Sequence, residues 1–188
     1  MKTPEKRNYA PVPKTSDKID IDFLQLHCDN LDLSNPDNLN FWLYCNISMR
    51  TGLRSIDILK MKVSDINFID RKVILKEKKT KKMIEAPISK NILDKIDTSK
   101  EFVIYNEKYK CNVSLMTINR RLKDVFKDSS INVSSHSIRK ACATKIYEAT
   151  GNNIIKAMIF LNHSSPVMTK NYLGLTKEEK FSLYSLLN

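Results

Sequence analysis

The four cysteines, Cys28, Cys45, Cys111 and Cys142, are scattered along the 188 residues, with no Cys-x-x-Cys pair and no histidine at ligand spacing. That argues against a zinc site or a disulfide framework and fits a reducing cytoplasm. No apolar run approaches the ~20 residues that a membrane span requires, and the opening MKTPEKRNYAPVPKTSDK lacks the apolar core of a signal peptide. A cytoplasmic protein without a membrane partner is therefore expected. Clustered carboxylates of the kind that hold a catalytic metal are also missing, so neither a metal nor another cofactor is expected. Glycine is scarce: Gly52, Gly151 and Gly174 are the only three, and each stands where a helix should end. No internal repeat is visible.

Acidic side chains are the minority charge. Lys and Arg total 32 against 21 Asp and Glu, a formal net charge of +11. An excess of that size points to a polyanionic partner, because neutralising clustered phosphates releases counterions. The length and the 41% hydrophobic content suit one domain with its own core. Residues 1–16, with three prolines and little apolar content, read as a flexible arm or linker, which leaves 17–188 as the domain.

The spacing of Ile19, Phe23 and Leu26 predicts a first helix. A second is predicted over 35–49, capped by Asn35, with Pro36 in its first turn, Leu39, Leu43 and Ile47 on one face, and Gly52 as its stop. After a short helix in RSIDILKM, β-branched runs at 73–75 and 83–86 flank a lysine-rich centre. This reads as a small antiparallel sheet with a basic hairpin tip. Helices resume over 89–96, 114–127, 135–149, 152–160 and 165–172, with FVIY as an apolar connector after the first of them. TKEEKFSLYSLLN reads as the last helix, opened by a capping box of Thr176 and Glu179. The class is α+β, mostly helical with one small antiparallel sheet.

Four stretches carry side chains suited to chemistry. In HSIRK, His136 and Arg139 are three apart on a predicted helix, so an imidazole and a guanidinium can grip one phosphate from the same face. In TGLRSIDILKM, Arg54 opens a helix after a glycine turn, rooted by Ile56, Ile58, Leu59 and Met61. The hairpin KEKKTKKMIEAPI offers a lysine able to donate a proton as well as charge. In LNHSSPVMTKNY, His163 precedes Tyr172 by nine residues. A tyrosine hydroxyl, with a pKa near ~10, is a nucleophile only where cations polarise its target and a base is at hand. Each stretch alone has an ordinary structural explanation: a solvated helix face, a cap residue, lysines guarding a strand edge, a buried tyrosine with a satisfied hydroxyl. Together they suit a phosphodiester, since attack on one adds negative charge to its nonbridging oxygens, and two arginines with a histidine stabilise that charge without metal.

Taken in order, TGLRSIDILKMKVSDI, KKTKKMIEAP, HSIRKACATKIYEATG, LNHSS and MTKNYLGL resemble the motifs of the tyrosine recombinases, or lambda-type phage integrases, over about residues 51–175. The resemblance implies that family's catalytic fold and a site-specific recombinase that cleaves and rejoins DNA through a 3′-phosphotyrosyl intermediate. It assigns Arg54 and Arg139 to the scissile phosphate, His163 to a nonbridging oxygen, His136 to general-base work and Tyr172 to the attack. The lysine that protonates the leaving 5′-oxygen maps to Lys79, which precedes a threonine and stands eight residues before Pro87, with Lys78 and Lys81 as alternatives. Lys78, Lys81, Lys82, Arg121 and Lys140 are expected to contact DNA.

Double-stranded DNA is the implied partner, bound by a homotetramer on paired sites, with a monomer in isolation as the alternative state. Phe181, Tyr184 and Leu187 are placed to dock the last helix on a neighbour or on its own domain. Two departures stand out: Asn162 replaces the usual glycine before the second histidine, and Lys140 stands where many members carry another histidine. About fifty residues precede Arg54, too few for the family's N-terminal core-binding domain, so a separate catalytic domain or a short single-domain member is expected. Two other readings share the motifs: a non-cutting DNA-binding regulator, which would not need Tyr172, and a topoisomerase- or relaxase-like nicking and closing enzyme.

Overall fold

The computed structural model describes residues 18–175. The expected arm over 1–16 and the expected last helix, with Thr176, Glu179, Phe181, Tyr184 and Leu187, lie outside the described residues. The elements are α1 (Ile21–Asp29), α2 (Pro36–Thr51), α3 (Ser55–Leu59), β1 (Ile66–Asn67), β2 (Lys72–Lys76), β3 (Met83–Pro87), α4 (Lys90–Leu93), β4 (Tyr105–Asn106), β5 (Cys111–Asn112), α5 (Leu115–Val125), α6 (Ser135–Ala149), α7 (Ile154–Phe160) and α8 (Pro166–Leu173). The class is α+β and mostly helical, as expected. None of the described helices is long and apolar enough to cross a membrane.

Helix α2 is the axis of the core. Asn35 caps it by accepting from the backbone N–H groups of Asp37 and Asn38, Pro36 occupies its first turn, and Gly52 ends it in the left-handed region at φ 60°. A side chain at Gly52 would also place its Cβ 2.4 Å from the Phe160 ring of α7, so both backbone and packing require glycine there. Residues 41–48 of α2 are all buried. A single stripe of Leu39, Leu43 and Ile47 therefore understates the helix, which α1, α4, α6 and β3 surround. Tyr44, fully buried, donates its hydroxyl to Ser55 Oγ at 2.8 Å. Burial pushes that phenol up, so it stays a donor and pins the start of α3, where Arg54 sits, to the core.

Helix α1 corrects the expected phase. Its buried residues are Leu24 and Cys28, whereas Phe23 and Leu26 are exposed. Asp20 caps the helix and Ile19 lies before it, so a pattern counted from Ile19 is out of step with the true helical face. The Phe23 ring lies 5.3 Å from that of Phe126.

Strands β1, β2 and β3 form an antiparallel sheet in that order, with Val73 opposite Ala86 and Leu75 opposite Ile84. Val73 and Leu75 face the core and Ile74 and Lys76 face out, the period-two alternation of a half-buried sheet. The expectation of a single sheet is corrected by a second, β4 paired with β5, which begins at the last residue of FVIY and lies before the helix expected over 114–127. Its strands are two residues each, and the side chain of Asn40 on α2 holds it by bonding both backbone groups of Tyr105 at 2.8 and 3.0 Å. Helix α6 has the expected bounds, because Ser134 and Ser137 cap its start reciprocally and Gly151, at φ 68°, follows its end. It packs on α1, α2, α5, α7 and α8, which makes it the platform for the site.

Candidate active site

The start of α3, the tip of the β2–β3 hairpin, the start of α6, the α7–α8 turn and α8 surround a cavity of about 600 Å³ lined by Arg54, Lys79, His136, Arg139, His163 and Tyr172. All six residues singled out for catalysis thus share one cavity, although the first and last are 118 positions apart. Ile56, Leu115 and Met168 give the remaining wall an apolar character.

Arg139 is the most enclosed of the six, 5% exposed. Its Nη1 donates to the carbonyl of Gly52, and its Nη2 to the carbonyl of Leu161 at 2.6 Å. One guanidinium therefore braces the chain two residues before Arg54 and two residues before His163, while remaining on the cavity wall. Burial works against its charge, and Tyr172, Glu77 and Asp57 support it. Arg54 occupies the cap position of α3, and its Nη1 forms an ion pair with the fully buried Glu77.

The hairpin tip is held on both flanks of Lys79. The backbone N–H of Lys78 donates to Asp57 Oδ1 at 2.8 Å, Thr80 Oγ1 donates to Glu77 Oε2, and Lys81 turns the chain at φ 61°. Burial raises the Asp57 carboxyl pKa. Lys79 lines the cavity, and Lys78, Lys81 and Lys82 are not among its lining residues; their side chains are exposed on the hairpin.

The nine-residue interval between His163 and Tyr172 has a geometric basis. His163 lies in the turn before α8, which Ser165 caps and Pro166 begins. Two turns of helix, at about 3.6 residues each, return Tyr172 to the side on which His163 waits. The two rings meet edge to face, 5.5 Å apart at 86°. Thr169, three residues before Tyr172 and fully buried, lies 3.1 Å from His163 Nδ1, so the other ring nitrogen is the one left to work. The Tyr172 hydroxyl donates to the His136 carbonyl at 3.5 Å, the limit of a hydrogen bond. Burial pushes the Tyr172 phenol above its ordinary range, and Arg139 pulls it back. Asn162 adopts φ 49°, a conformation that would suit the glycine the resemblance implies there, and asparagine is among the side chains that tolerate this left-handed region.

Burial, followed by Arg139 and Arg54, lowers His163 to about 4 from 6.5, and burial and the same cations with Lys79 lower His136. Both imidazoles are neutral at pH 7. As pH falls from 6.5 toward 4, the unfolded chain takes up a proton at position 163 that the folded chain refuses. The stability contributed by neutral His163 is thus complete above that window and is lost on descending through it. Thermal melts between pH 7 and pH 5 should show a falling Tm for the native chain and a shallower fall for His163→Gln. Equal slopes would contradict the burial of a neutral imidazole.

Among the residues expected on DNA, Arg121 has partners within the fold. It donates to the Asp37 carbonyl at 2.9 Å and to Asn38 Oδ1 at 2.7 Å, with its guanidinium 4.7 Å from the Phe41 ring centre, and so fastens α5 to the start of α2. Lys140 is half-buried on α6 beside Arg139. Sequence reasoning missed Glu77, Asp57 and Thr169. The one available signal was Glu77, which continues the inward alternation of Val73 and Leu75 with a carboxylate. Among the described residues no group of His, Cys, Asp and Glu could hold a metal ion.

The chain matches the phage integrase family over residues 21–179. It is 24% identical over 161 residues to the probable integrase/recombinase YoeC of Bacillus subtilis (strain 168), covering 82% of this chain and 87% of that protein. It is 29% identical over 153 residues to the tyrosine recombinase XerA of Pyrococcus horikoshii, covering 77% of this chain and 53% of XerA. Among solved structures, its fold is similar to that of the XerH site-specific recombinase bound to a palindromic difH substrate after cleavage, with a TM-score of 0.69 and 15% identity over 93% of this chain and 54% of XerH. The chain thus spans most of the length of YoeC and about half that of the two Xer proteins. With that match running through α1 to α8 and through every residue of the cavity, the chain belongs to the phage integrase family.

Proposed function

We propose that this chain is a site-specific DNA recombinase that cuts and rejoins strands through Tyr172, acting in the cytoplasm on duplex DNA. The observation that carries the reading is the convergence of Arg54, Lys79, His136, Arg139, His163 and Tyr172 on one cavity. In this reading the scissile phosphate enters the cavity, where Arg54, Arg139 and His163 face its nonbridging oxygens and stabilise the charge that grows there. Neutral His136 takes the Tyr172 proton, the phenolic oxygen bonds to phosphorus, and the bond from phosphorus to the 5′-oxygen breaks. Lys79 protonates that oxygen. The products are a 3′-phosphotyrosyl link and a free 5′-hydroxyl, and attack by a second strand's 5′-hydroxyl reverses each step. The link conserves the energy of the broken ester, so no nucleotide is consumed.

The net charge of +11 and the exposed hairpin lysines Lys78, Lys81 and Lys82 support DNA as the partner, as does the DNA-bound state of XerH. Exchange between two duplexes needs four active sites, hence a homotetramer on paired sites.

The role of Lys79 is separable from binding. Lys79→Ala should slow cleavage by about 10²-fold, within the range for loss of a general acid, and leave DNA affinity within a factor of a few. A duplex whose leaving 5′-oxygen is replaced by sulfur should restore the rate, because a thiolate departs without a proton. If sulfur does not restore it, or if Lys78→Ala or Lys81→Ala behaves this way instead, Lys79 is not the proton donor.

A further inference from the structure

Glu77 is fully buried, two residues away from a lysine on the cavity wall, and a buried carboxylate persists only where it is paired and hydrogen-bonded. Its carboxylate accepts from Arg54 Nη1, from Thr80 Oγ1, and from Asn162 Nδ2 at 3.2 Å. Its backbone N–H donates to the Lys82 carbonyl at 2.9 Å, and its carbonyl accepts from the Lys81 N–H at 3.0 Å. The three side-chain partners come from three separate segments: Arg54 itself, Thr80 next to Lys79, and Asn162 next to His163. Glu77 does not line the tyrosine cavity. It lies in the wall behind it, facing a second cavity of about 500 Å³ shared with Gly52, Arg139 and Asn162.

Building on the recombinase reading, we propose that Glu77 is a positioning residue, one carboxylate that aims Arg54, Lys79 and His163 together before DNA arrives. Two guanidinium groups converging on one cavity repel each other, and a fixed anion behind them offsets that repulsion without occupying the place of the phosphate. The departure at position 162 belongs to the same arrangement. A glycine would satisfy φ 49° but could not reach Glu77, whereas asparagine does both.

The test uses the full chain and a nicked duplex carrying a site selected from random sequence for binding. Glu77→Gln keeps the shape and removes the charge. It should slow formation of the covalent adduct by about 10- to 100-fold, the range for a misaimed catalytic group, with DNA affinity changed by less than about threefold. On a duplex with an uncharged methylphosphonate at the scissile position, the difference between the native chain and Glu77→Gln should narrow to about threefold, the share left to the aim of Lys79 and His163, since Arg54 then has less charge to meet. A general loosening of the fold would slow both substrates alike and overturn the proposal. Asn162→Gly retains the backbone conformation and removes one contact. It should show the same substrate-dependent loss in smaller measure, which keeps the question decidable if Glu77→Gln does not fold. Native rates in both variants, with an adduct from the unaltered chain, would refute the positioning role and leave the recombinase reading intact. No adduct from the unaltered chain on DNA it binds would refute that reading and this inference with it.

Discussion

Arg139→Ala is expected to lower the rate of strand cleavage by about 10²-fold or more, the loss that follows removal of a preorganised donor from a transition state. The same change should destabilise the folded chain by roughly 2–4 kcal/mol, because two enclosed carbonyls, those of Gly52 and Leu161, each lose a charged donor. The two effects have different origins and can be read apart. Urea melts report the loss of anchoring, and adduct formation at a temperature where the variant is folded reports the loss of charge. Arg139→Lys keeps the charge but cannot bond two diverging carbonyls and a phosphate together, so it should recover little of either. A variant that cleaves like the native chain would contradict the role given to Arg139 at the phosphate, and unchanged stability would contradict its role as a brace.

Tyr172→Phe should abolish the covalent adduct while leaving DNA affinity and stability near native. The ring is retained, so its edge-to-face packing with His163 survives, and the hydroxyl gives up only a 3.5 Å bond to the His136 carbonyl. A loss of less than about 1 kcal/mol is expected from so long a bond. The phenol is held above its ordinary range by burial. In the proposed mechanism it therefore enters the reaction protonated, and the imidazole of His136, which is lowered and so neutral at pH 7, is the group that would remove the proton. Adduct formation by Tyr172→Phe would mean that another side chain is the nucleophile.

How much of this was legible in the residues depended on how local the determining physics is. The bounds of α6 and the caps of α2 follow from Ser134, Asn35, Pro36 and Gly52, each acting within a turn of itself. His136 with Arg139, and His163 with Tyr172, were readable because their spacing survives as a shared helix face and a capped turn, whereas Lys79 was singled out among the hairpin lysines by the family resemblance. The phase of α1 was not readable, since Ile19 is buried without belonging to the helix. The β4–β5 pair escaped notice because two-residue strands carry no period, and it is held by Asn40, 65 positions away. Arg121 and Glu77 are charged residues whose partners come from other segments. An isolated charge reads as a solvent-facing one until the fold brings Asn38 to the first, and Arg54 and Asn162 to the second.

The most direct measurement is to trap and map the adduct. The chain is incubated with the nicked duplex, denatured and digested, and the DNA-bearing peptide is identified by mass spectrometry together with the chemistry of both DNA ends. The proposed function predicts one peptide, containing Tyr172, joined to the 3′-phosphate of a strand whose partner end is a free 5′-hydroxyl. A link to any other side chain, a 5′-phosphate bond, or a chain that binds the duplex and never becomes joined to it would contradict the account.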